Sequence, residues 1–498
     1  MVIFVSTKHE VWRDEVRALS IALEPDTIWG LFTALKNEGH PILWYLILRI
    51  GFMIINSSVI LKIASVCIAF GGVVVFYKYA PFPMWQRILF IGGVLPFYEY
   101  PVVARNYGIS MLFLFLLAKF YTQREEKPFL VAFILVALAN TNVHSAIFVC
   151  VIAFLWLINV LVYDRSLFDF RRIIILSCSF VIVGIGVVFS AVTTLPTQDS
   201  IVTQALSLNI SQLLQELWTN IKHPGLHFTV IFFGLSALMR DILMWILIAG
   251  LIVRPLMAIS LFLGVVLVGL FFSVVYYGAL RHQGLVFIFI VSLYWIVYKE
   301  TMITPIDKLA KYRVLLLKGS VYVVLSAIFL VHIAGAMRLI YRDLVKELSS
   351  SRAFGEFIMA SKRFQEAIII GEPDYRLQSL PYYVKNRIFI PREGIFRNYI
   401  AQTRANKSKL TMGELLESGR QLRISEMKPV LIVLGHFGLA KQKDKPFIRT
   451  IQHNKKFSWT SEEMDDFGAS TVKIKEFVTS EKNERYAVYL LPLQKANR

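Results

Sequence analysis

The stretch Trp12-Arg13-Asp14-Glu15-Val16-Arg17 places two adjacent carboxylates just ahead of long apolar segments. A first apolar run covers residues 41–55, and a second covers residues 58–77 with Lys62 as its one charged residue. Acidic side chains at the mouth of a membrane domain are costly unless water, a partner or chemistry keeps them there. The Asp14-Glu15 pair is therefore the first candidate for function.

The overall composition is that of a protein embedded in a membrane. Hydrophobic residues make up 56% and aromatic residues 14% of the 498 positions, and the mean hydropathy is +0.58. A soluble domain has roughly 45–50% apolar residues, so this chain predicts a polytopic integral membrane protein. The long apolar runs concentrate in residues 41–337, whereas residues 339–498 have the composition of a soluble domain.

Membrane spans are predicted where apolar runs approach the roughly 20 residues that a bilayer requires. These runs are 58–77, 84–100, 106–121, 128–142, 144–162, 173–194, 238–253, 255–277, 283–298 and 314–337. The run 41–55 is short for a span and predicts an interfacial or partly re-entrant helix, and 226–237 is ambiguous in the same way. Residues 1–6 form an apolar stub that is either an interfacial anchor or the end of a first helix cut off by the given start, and we favour the second interpretation. The total is then about 10–12 spans.

The C-terminal part alternates helical and strand-like patterns. Helices are predicted at 341–364 and 411–423, and strands at 366–370, 386–390, 428–434, 471–477 and 486–492. About 150 residues are enough for a separate core, so an α/β or α+β soluble domain is predicted at 339–498. Residues 1–338 form the predicted transmembrane catalytic domain, with an extracytoplasmic loop at 7–57.

Loop charges predict the orientation of the chain in the membrane. If residues 7–40 lie outside, the cytoplasmic loops hold Lys78, Arg87, Arg124, Lys127, Arg165, Arg171, Arg172, Arg254, Lys299, Lys308, Lys311 and Arg313. Every such loop then satisfies the positive-inside rule. The same orientation places Asp14-Glu15, Glu99–Arg105, Asn140–His144, Arg281-His282 and the whole C-terminal domain on the extracytoplasmic side. We therefore predict a multi-pass protein of the cell inner or plasma membrane, with an extracytoplasmic C-terminal domain.

The strong positive charge favours a lipid partner over nucleic acid. The formal net charge is +19, and residues 338–498 hold 29 Lys and Arg against 18 Asp and Glu, a net +11. A basic domain beside a bilayer meets anionic headgroups or phosphate-bearing lipids directly. No nucleic-acid partner is predicted.

Two opposite interpretations apply to the acidic pair and to the outer cations. Asp14 could act as a general base towards an acceptor hydroxyl or amine, or it could pair with Arg13 or Arg17 on a solvated helix. Arg105 and Arg281 are cations retained on the outer side, where they either bind a phosphate or extend to lipid headgroups.

Histidines and cysteines give weaker signals. His40 and His144 face the same side as Asp14, but no metal-ligand spacing links them. No protein-built metal site and no organic cofactor are predicted, while a divalent cation shared between a carboxylate and a phosphate is left open. The cysteines Cys67, Cys150 and Cys178 lie in apolar segments and are predicted as core residues, without a disulfide or zinc framework.

An ordered set of motifs carries a resemblance to a known family. The set is Asp14-Glu15, His40-Pro41-Ile42-Leu43-Trp44-Tyr45, Val103-Ala104-Arg105-Asn106-Tyr107, Thr141-Asn142-Val143-His144 and Arg281-His282. Together these motifs resemble the C-type glycosyltransferases (GT-C) over residues 10–300, in the branch of the protein O-mannosyltransferases and the lipid A aminoarabinose transferases. The chain departs from the family pattern at Ile42, where a second proline is usual, and at Val103, where the family's glutamate is instead displaced upstream to Glu99.

The resemblance implies a polyprenyl-phosphate-sugar-dependent glycosyltransferase of the cell envelope that inverts the sugar. Asp14 would be the general base, and Glu15 would orient the acceptor or the base. The donor phosphate would bind Arg105, Arg281, His282 and Tyr107, and His40, His144 and Glu99 would lie on the acceptor side. The acceptor itself stays open between a glycan, a lipid and a protein.

Two other functions remain open at this point. A transporter or lipid flippase would place polar groups at the bilayer midplane and often shows a repeat between its halves. A non-catalytic membrane scaffold would not require an acidic pair opposite two outer arginines.

Overall fold

A computed structural model describes residues 1–163, 169–201, 209–303, 310–435 and 446–492. The N-terminal part of the described chain is helical throughout. Its helices are α1 Val2–Lys8, α2 Arg13–Leu23, α3 Ile28–Ala34, α4 Leu43–Ile55, α5 Ile60–Tyr79, α6 Met84–Ile91, α7 Tyr107–Phe120, α8 Pro128–Ala139, α9 Val143–Tyr163, α10 Phe170–Thr194, α11 Ile210–Lys222, α12 Ala237–Ala249, α13 Pro255–Val274, α14 Leu280–Ile303, α15 Ala310–Gly319 and α16 Ser326–Val345.

Six helices in the described residues are long and apolar enough to cross a membrane. They are Ile60–Tyr79, Val143–Val162, Phe170–Thr194, Pro255–Val274, Leu280–Thr301 and the continuous helix Lys311–Val345. Each corresponds to a predicted span, so the protein is an integral membrane protein. The most buried of these six helices is α14, whose apolar side chains pack against α7, α13 and α9.

The other four predicted spans form shorter helices, namely α6, α7, α8 and α12. The run 84–100 is divided because Gly92, Gly93 and Pro96 follow α6. The chain then makes a π-helical turn at Leu95–Glu99, which brings Glu99 to the end of this segment. The predicted interfacial helix at 41–55 is α4. Burial of the cysteines was predicted wrongly, since all three are exposed on the outer faces of apolar helices.

The C-terminal part is an α/β domain, as predicted. Its helices are α17 Ser351–Met359, α18 Lys362–Gln365, α19 Met412–Glu426 and α20 Ser461–Ser470. Its strands are β1 Ile368–Glu372, β2 Ile388–Ile390, β3 Ile395–Phe396, β4 Lys409–Thr411, β5 Val430–Leu434, β6 Phe447–Thr450, β7 Lys456–Trp459, β8 Val472–Phe477 and β9 Tyr486–Leu491. A six-stranded sheet has the order β3-β2-β1-β5-β9-β8, and a smaller sheet has the order β4-β7-β6.

The central strands of the larger sheet are parallel. Strand β1 pairs in parallel with β2 on one side and with β5 on the other. Both β1 and β5 are buried along their whole length, which is the pattern expected where helices or loops cover both faces. All five predicted strands are present. The strands β3, β4, β6 and β7 were not predicted, because two to four residues are too few to show a period of two.

The predicted helix at 341–364 is wrong as a single element. Helix α16 continues beyond residue 338 and ends at Val345, and α17 begins at Ser351. At the interruption, the Ser349 hydroxyl donates to Glu484 at 2.5 Å, and the Ser350 hydroxyl donates to the carbonyl of Thr479. These bonds attach the segment between α16 and α17 to residues 479–484 of the C-terminal domain.

Helix α2, which carries Asp14, is held by the C-terminal domain. The Glu484 carboxylate accepts the backbone N–H of Arg13 at 3.0 Å. The Tyr383 hydroxyl donates to the carbonyl of Val11 at 2.9 Å, and Arg352 donates to the carbonyl of His9 at 2.9 Å. The C-terminal domain therefore determines where the first turn of α2 lies.

The buried ion pair between Arg392 and Glu372 joins the two sheets. The guanidinium donates to both carboxylate oxygens at 3.0 and 2.9 Å, and neither side chain is exposed. The same guanidinium donates to the carbonyls of Lys407, before β4, and of Lys456 in β7. Removing one member of such a pair leaves an uncompensated buried charge.

We predict that Arg392→Met destabilises the C-terminal domain by roughly 3–5 kcal/mol. The control Arg387→Met removes a half-exposed arginine whose pair with Glu426 lies at the surface, and it should cost about 1 kcal/mol or less. Hydrogen exchange of β1 and β5 in the full-length protein measures both losses. Equal losses in the two variants would contradict the structural role given to Arg392.

Candidate functional site

Asp14 forms an ion pair with Arg281 at the ends of two helices. Asp14 lies in the first turn of α2, and Arg281 lies in the first turn of α14. The Arg281 Nη2 atom lies 3.1 Å from Asp14 Oδ2, and Arg13 Nε lies 3.8 Å from Asp14 Oδ1. The Asp14 side chain keeps 33% of its surface exposed. It is therefore a carboxylate that a ligand can reach.

Arg105 lies on the same side of α2. Its Nη1 donates to the backbone carbonyl of Asp14, and its Nη2 lies 3.2 Å from His40 Nε2. Burial and the adjacent Arg105 guanidinium lower the pKa of His40 well below its usual value. His40 is thus neutral and accepts the arginine's hydrogen bond through Nε2, which leaves its proton on Nδ1.

Glu15 points into the protein, where its carboxylate accepts hydrogen bonds from three donors. Oε1 accepts the backbone N–H of Ala104 at 2.7 Å. Oε2 accepts the backbone N–H of Trp12 at 3.2 Å and lies 3.1 Å from His9 Nε2. Because Ala104 immediately precedes Arg105, Glu15 attaches the first turn of α2 to the segment that carries that arginine. This placement makes Glu15 a positioning residue.

A buried histidine continues this connection to α16. His9 Nδ1 lies 2.8 Å from Asp343 Oδ2, so each ring nitrogen faces a carboxylate. Burial alone would lower the pKa of His9, but the Glu15 and Asp343 carboxylates outweigh it and raise the pKa from 6.5 to about 9. At neutral pH, His9 is therefore a charged link between α2 and α16.

Aromatic and imidazole rings form a wall beside Arg281. The rings of His144 and His282 stack at 5.5 Å, and His282 contacts Tyr107 at 5.1 Å and Tyr276 at 5.0 Å edge to face. The Tyr276 hydroxyl lies 3.3 Å from His144 Nε2. His282 Nδ1 accepts the backbone N–H of Ala279 at 2.9 Å. Its proton is therefore on Nε2, which can donate to a ligand.

Polar side chains between α7 and α9 set the position of His144. The amide of Asn106 donates to the carbonyl of Thr141 at 2.6 Å, and the amide of Asn142 donates to the Ser110 hydroxyl at 2.7 Å. These bonds join the start of α7, next to Arg105, to the turn that leads into α9, whose second residue is His144. The Thr141-Asn142-Val143-His144 motif thus has a local structural role.

Several buried polar atoms around Asp14 have no hydrogen-bond partner in the described part of the chain. They are Arg105 Nε, Arg281 Nε, Tyr107 Oη, His40 Nδ1 and His144 Nδ1. A buried polar atom without a partner costs roughly 1–3 kcal/mol. A ligand, an ion or ordered water can supply the missing partner of such an atom. Apart from their charge, the two arginines thus still have donor capacity for a ligand.

Glu99, Trp12 and Lys482 surround the same ion pair. Glu99 is buried and interacts electrostatically with Arg281 and with Lys482 of the C-terminal domain. Lys482 Nζ lies 4.4 Å from the Trp12 ring centre, and the Arg281 guanidinium lies 5.8 Å from it. Burial lowers the pKa of Lys482. Trp12 and Lys482 were not among the predicted site residues.

Asp14 also borders an open pocket of about 530 Å³ between α2 and the C-terminal domain. We call it the strand-end pocket. It is lined by Arg13, Asp14, Arg17, Ile201, Asp374, Tyr375, Gln378, Ile400, Ala401, Gln402, Gln452, His453 and Lys455. The prediction from the sequence missed its C-terminal residues. The signal that was available is Pro373-Asp374, which follows shortly after the strand predicted at 366–370.

The structure thus brings the predicted site residues of four separate segments to one end of the helices. Asp14, Arg105, Arg281 and His40 are in direct contact with one another or linked through one residue. His282, Tyr107 and His144 form the adjoining wall. No group of three or more His, Cys, Asp or Glu suited to a metal ion occurs among the described residues. A divalent cation shared with a phosphate stays a prediction.

Comparisons with known proteins give similarity of fold. No family model matches the chain, and no curated protein matches it. The solved structure of ArnT from Cupriavidus metallidurans in the apo state is similar, with a TM-score of 0.49 and 13% identity over 99% of this chain and 96% of that one. The same protein bound to undecaprenyl phosphate gives a TM-score of 0.48 and 11% identity over 99% of this chain and 97% of that one.

We predict that the link through His9 weakens in alkaline solution. The folded-state pKa is raised, so the stabilisation is fully present below about pH 6.5 and is lost as the pH rises through about 9. His9→Gln should lower stability by an amount of the order of 3 kcal/mol at pH 6, with the difference from the native protein closing towards pH 10. Thermal unfolding across this pH range measures it.

The matched control is His223→Gln, which removes a half-exposed histidine beside Asp241. It should leave the pH dependence of stability nearly unchanged. A difference between the native protein and His9→Gln that is the same at pH 6 and pH 10 would show that His9 is neutral in the fold.

Proposed function

We propose that the protein is a membrane glycosyltransferase that moves a sugar from a polyprenyl-phosphate donor to an acceptor on the extracytoplasmic side. The observation that supports this proposal most is the contact between Asp14 and Arg281, with Arg105 bound to the carbonyl of Asp14. One carboxylate and two guanidinium groups, the groups that a base and a phosphate site require, are thereby adjacent near the ends of apolar helices. A lipid phosphate carries its charge at this depth while its tail stays in the bilayer.

Donor binding changes the partner of Arg281. Guanidinium groups bind phosphate bidentately, and the doubly bridged contact is stronger than a single contact with a carboxylate. A donor phosphate that engages Arg281 and Arg105 therefore takes Arg281 from Asp14. The Asp14 carboxylate is then released to accept a proton from the acceptor. In this scheme the ion pair is the resting state of the site.

The transfer is a single displacement at the anomeric carbon of the sugar. The acceptor oxygen forms a bond to this carbon while its proton passes to Asp14. The bond between the anomeric carbon and the phosphate oxygen breaks, and the polyprenyl phosphate leaves with the electron pair. Glu15 is occupied by three donors, so Asp14 is the one carboxylate of the acidic pair that can take part. One displacement inverts the configuration of the sugar.

The cations lower the barrier because negative charge develops on the departing phosphate. Arg105 is held by the carbonyl of Asp14 and by His40, and Arg281 turns to the phosphate when the donor binds, so both cations are in place before the bond breaks. Fixed charges of this kind stabilise a transition state without reorganising. His282 Nε2 and the Tyr107 hydroxyl are further donors beside Arg281. His40, which is neutral, would border the acceptor side.

The experiment compares two variants in two assays. Asp14→Asn should reduce transfer about 10²–10⁴-fold while binding of polyprenyl phosphate is retained. Arg281→Ala should weaken binding of polyprenyl phosphate by about 10-fold to 100-fold, because a charge-assisted hydrogen bond contributes about 1.5–3 kcal/mol. Transfer is followed as label moving from the lipid-linked sugar to envelope glycans in membranes, and binding is measured with purified protein in nanodiscs.

The control is Arg254→Ala. Arg254 pairs with Glu300 at the opposite end of α14 from Arg281, so this variant should bind polyprenyl phosphate like the native protein. Transfer by Asp14→Asn at the native rate would exclude the role of Asp14 as base. Equal loss of lipid binding in the two arginine variants would exclude the proposed donor site.

A further inference from the structure

The strand-end pocket lies where parallel strands of the C-terminal domain end. Strand β1 ends at Glu372 and is followed by Asp374 and Tyr375, which line the pocket. Its parallel neighbours β2 and β5 lie on opposite sides of it, so the strand order changes direction at β1. In open α/β sheets, ligands bind in the crevice outside the carboxyl ends of the strands at such a switch point.

The ends of β1 and β5 approach each other closely beside this crevice. Gly435 directly follows β5, and a Cβ atom there would lie 2.6 Å from a guanidinium nitrogen of Arg376 and 2.7 Å from Pro373 Cδ. A side chain at this position would displace the segment that leads to Asp374. The absence of a side chain at Gly435 therefore lets the ends of β1 and β5 close on one another beside the pocket.

The polar groups of the pocket are fixed in position. Lys455 Nζ lies 3.2 Å from Asp374 Oδ2, and both side chains are buried. The Arg17 guanidinium donates to Glu38 through Nε at 2.9 Å and to Gln378 through Nη1. The Arg13 guanidinium lies 5.0 Å from the Tyr375 ring centre, and its Nη1 is buried without a hydrogen-bond partner in the described residues.

The lining combines two kinds of recognition. Arg17 is paired with Glu38, and Lys455 is paired with Asp374. Arg13 lies 3.8 Å from Asp14, and its Nη1 atom has no hydrogen-bond partner in the described residues, so Arg13 keeps donor capacity for an anionic group of a ligand. The side-chain amides of three glutamines and the ring of Tyr375 complete the lining. Amides, carboxylates and guanidinium groups donate to and accept from hydroxyl groups, and an aromatic ring covers an apolar face.

We propose that the strand-end pocket binds the acceptor and that the acceptor is an acidic carbohydrate, a sugar bearing a carboxylate or a phosphate. This inference rests on the proposed function, because it assigns the acceptor side of the same Asp14. The lining comes from the first turn of α2, from Ile201 and from the C-terminal domain, all outside the apolar helices. The acceptor therefore enters from water, whereas the donor phosphate meets Arg281 from the lipid side.

The placement explains how one carboxylate serves both substrates. Asp14 lines the pocket and also contacts Arg281. A hydroxyl of a sugar seated against Tyr375 and Lys455 lies on the Asp14 side of the ion pair. When the donor phosphate takes Arg281, the released carboxylate is already next to the acceptor. The C-terminal domain is thus a part of the active site in this account.

The test measures binding of simple sugars to the full-length protein in nanodiscs by saturation-transfer NMR titration. The probes are glucuronic acid and glucose 6-phosphate as acidic sugars, glucose as a neutral sugar and inorganic phosphate as an anion without a sugar. We expect both acidic sugars to bind more tightly than glucose and than phosphate. Gln402→Glu adds a negative charge to the lining. It should weaken binding of the acidic sugars about 10-fold and leave binding of glucose nearly unchanged.

The matched control is Gln421→Glu, the same substitution at an exposed position of α19 in the same domain. It should leave binding of all four probes unchanged. Lys455→Gln is the second pocket variant and should weaken binding of the acidic sugars by a similar factor. Retention of native binding in both pocket variants would overturn the proposal. If glucose bound as tightly as the acidic sugars, the claim that the acceptor is acidic would be wrong. If inorganic phosphate bound as tightly, the claim that the pocket recognises a carbohydrate would be wrong.

Failure of this inference can be told apart from failure of the proposed function. The pocket variants should bind polyprenyl phosphate like the native protein, because neither residue contacts Arg105 or Arg281. If lipid binding depends on Arg281 but acidic sugars do not respond to Gln402→Glu, the acceptor inference alone is wrong. If polyprenyl phosphate binds independently of Arg281, the proposed function itself is wrong.

Discussion

The position of the site depends on one buried carboxylate, that of Glu15. It accepts the backbone N–H of Ala104 and so joins the first turn of α2 to the segment that carries Arg105. The same carboxylate faces His9, which continues the contact to α16. Since burial of an unpaired carboxylate is costly, these three donors determine the orientation of the helix turn. Asp14, one residue earlier, then points away from this interior and towards Arg281.

Under the proposed function, the ion pair between Asp14 and Arg281 is one of two states of the site. Without a lipid phosphate, the carboxylate and the guanidinium neutralise one another at the end of α14. In the second state that we propose, a bound phosphate is the better partner for the guanidinium and leaves the carboxylate available as a base. A site built in this way couples donor binding to activation of the base. The C-terminal domain contributes by holding α2 through Glu484 and by lining the strand-end pocket next to Asp14.

Hydropathy and loop charge predicted most of the membrane part from the sequence. The orientation rule grouped Asp14, Arg105 and Arg281 on one side, and the structure brings these residues into contact. Which of the two adjacent carboxylates faces the ligand was not predictable, because neighbours on a helix point about 100° apart in a direction that only tertiary contacts determine. Residues such as Asp374 and Lys455 were missed because a soluble domain has no orientation signal, and their proximity depends on sheet topology.

The most direct measurement is a structure of the full-length protein in nanodiscs with a polyprenyl phosphate bound. We expect phosphate oxygens within about 2.7–3.2 Å of the Arg105 and Arg281 guanidinium groups. We also expect that the Asp14 carboxylate has separated from Arg281 and faces the strand-end pocket. A phosphate bound elsewhere, with the contact between Asp14 and Arg281 intact, would contradict the account.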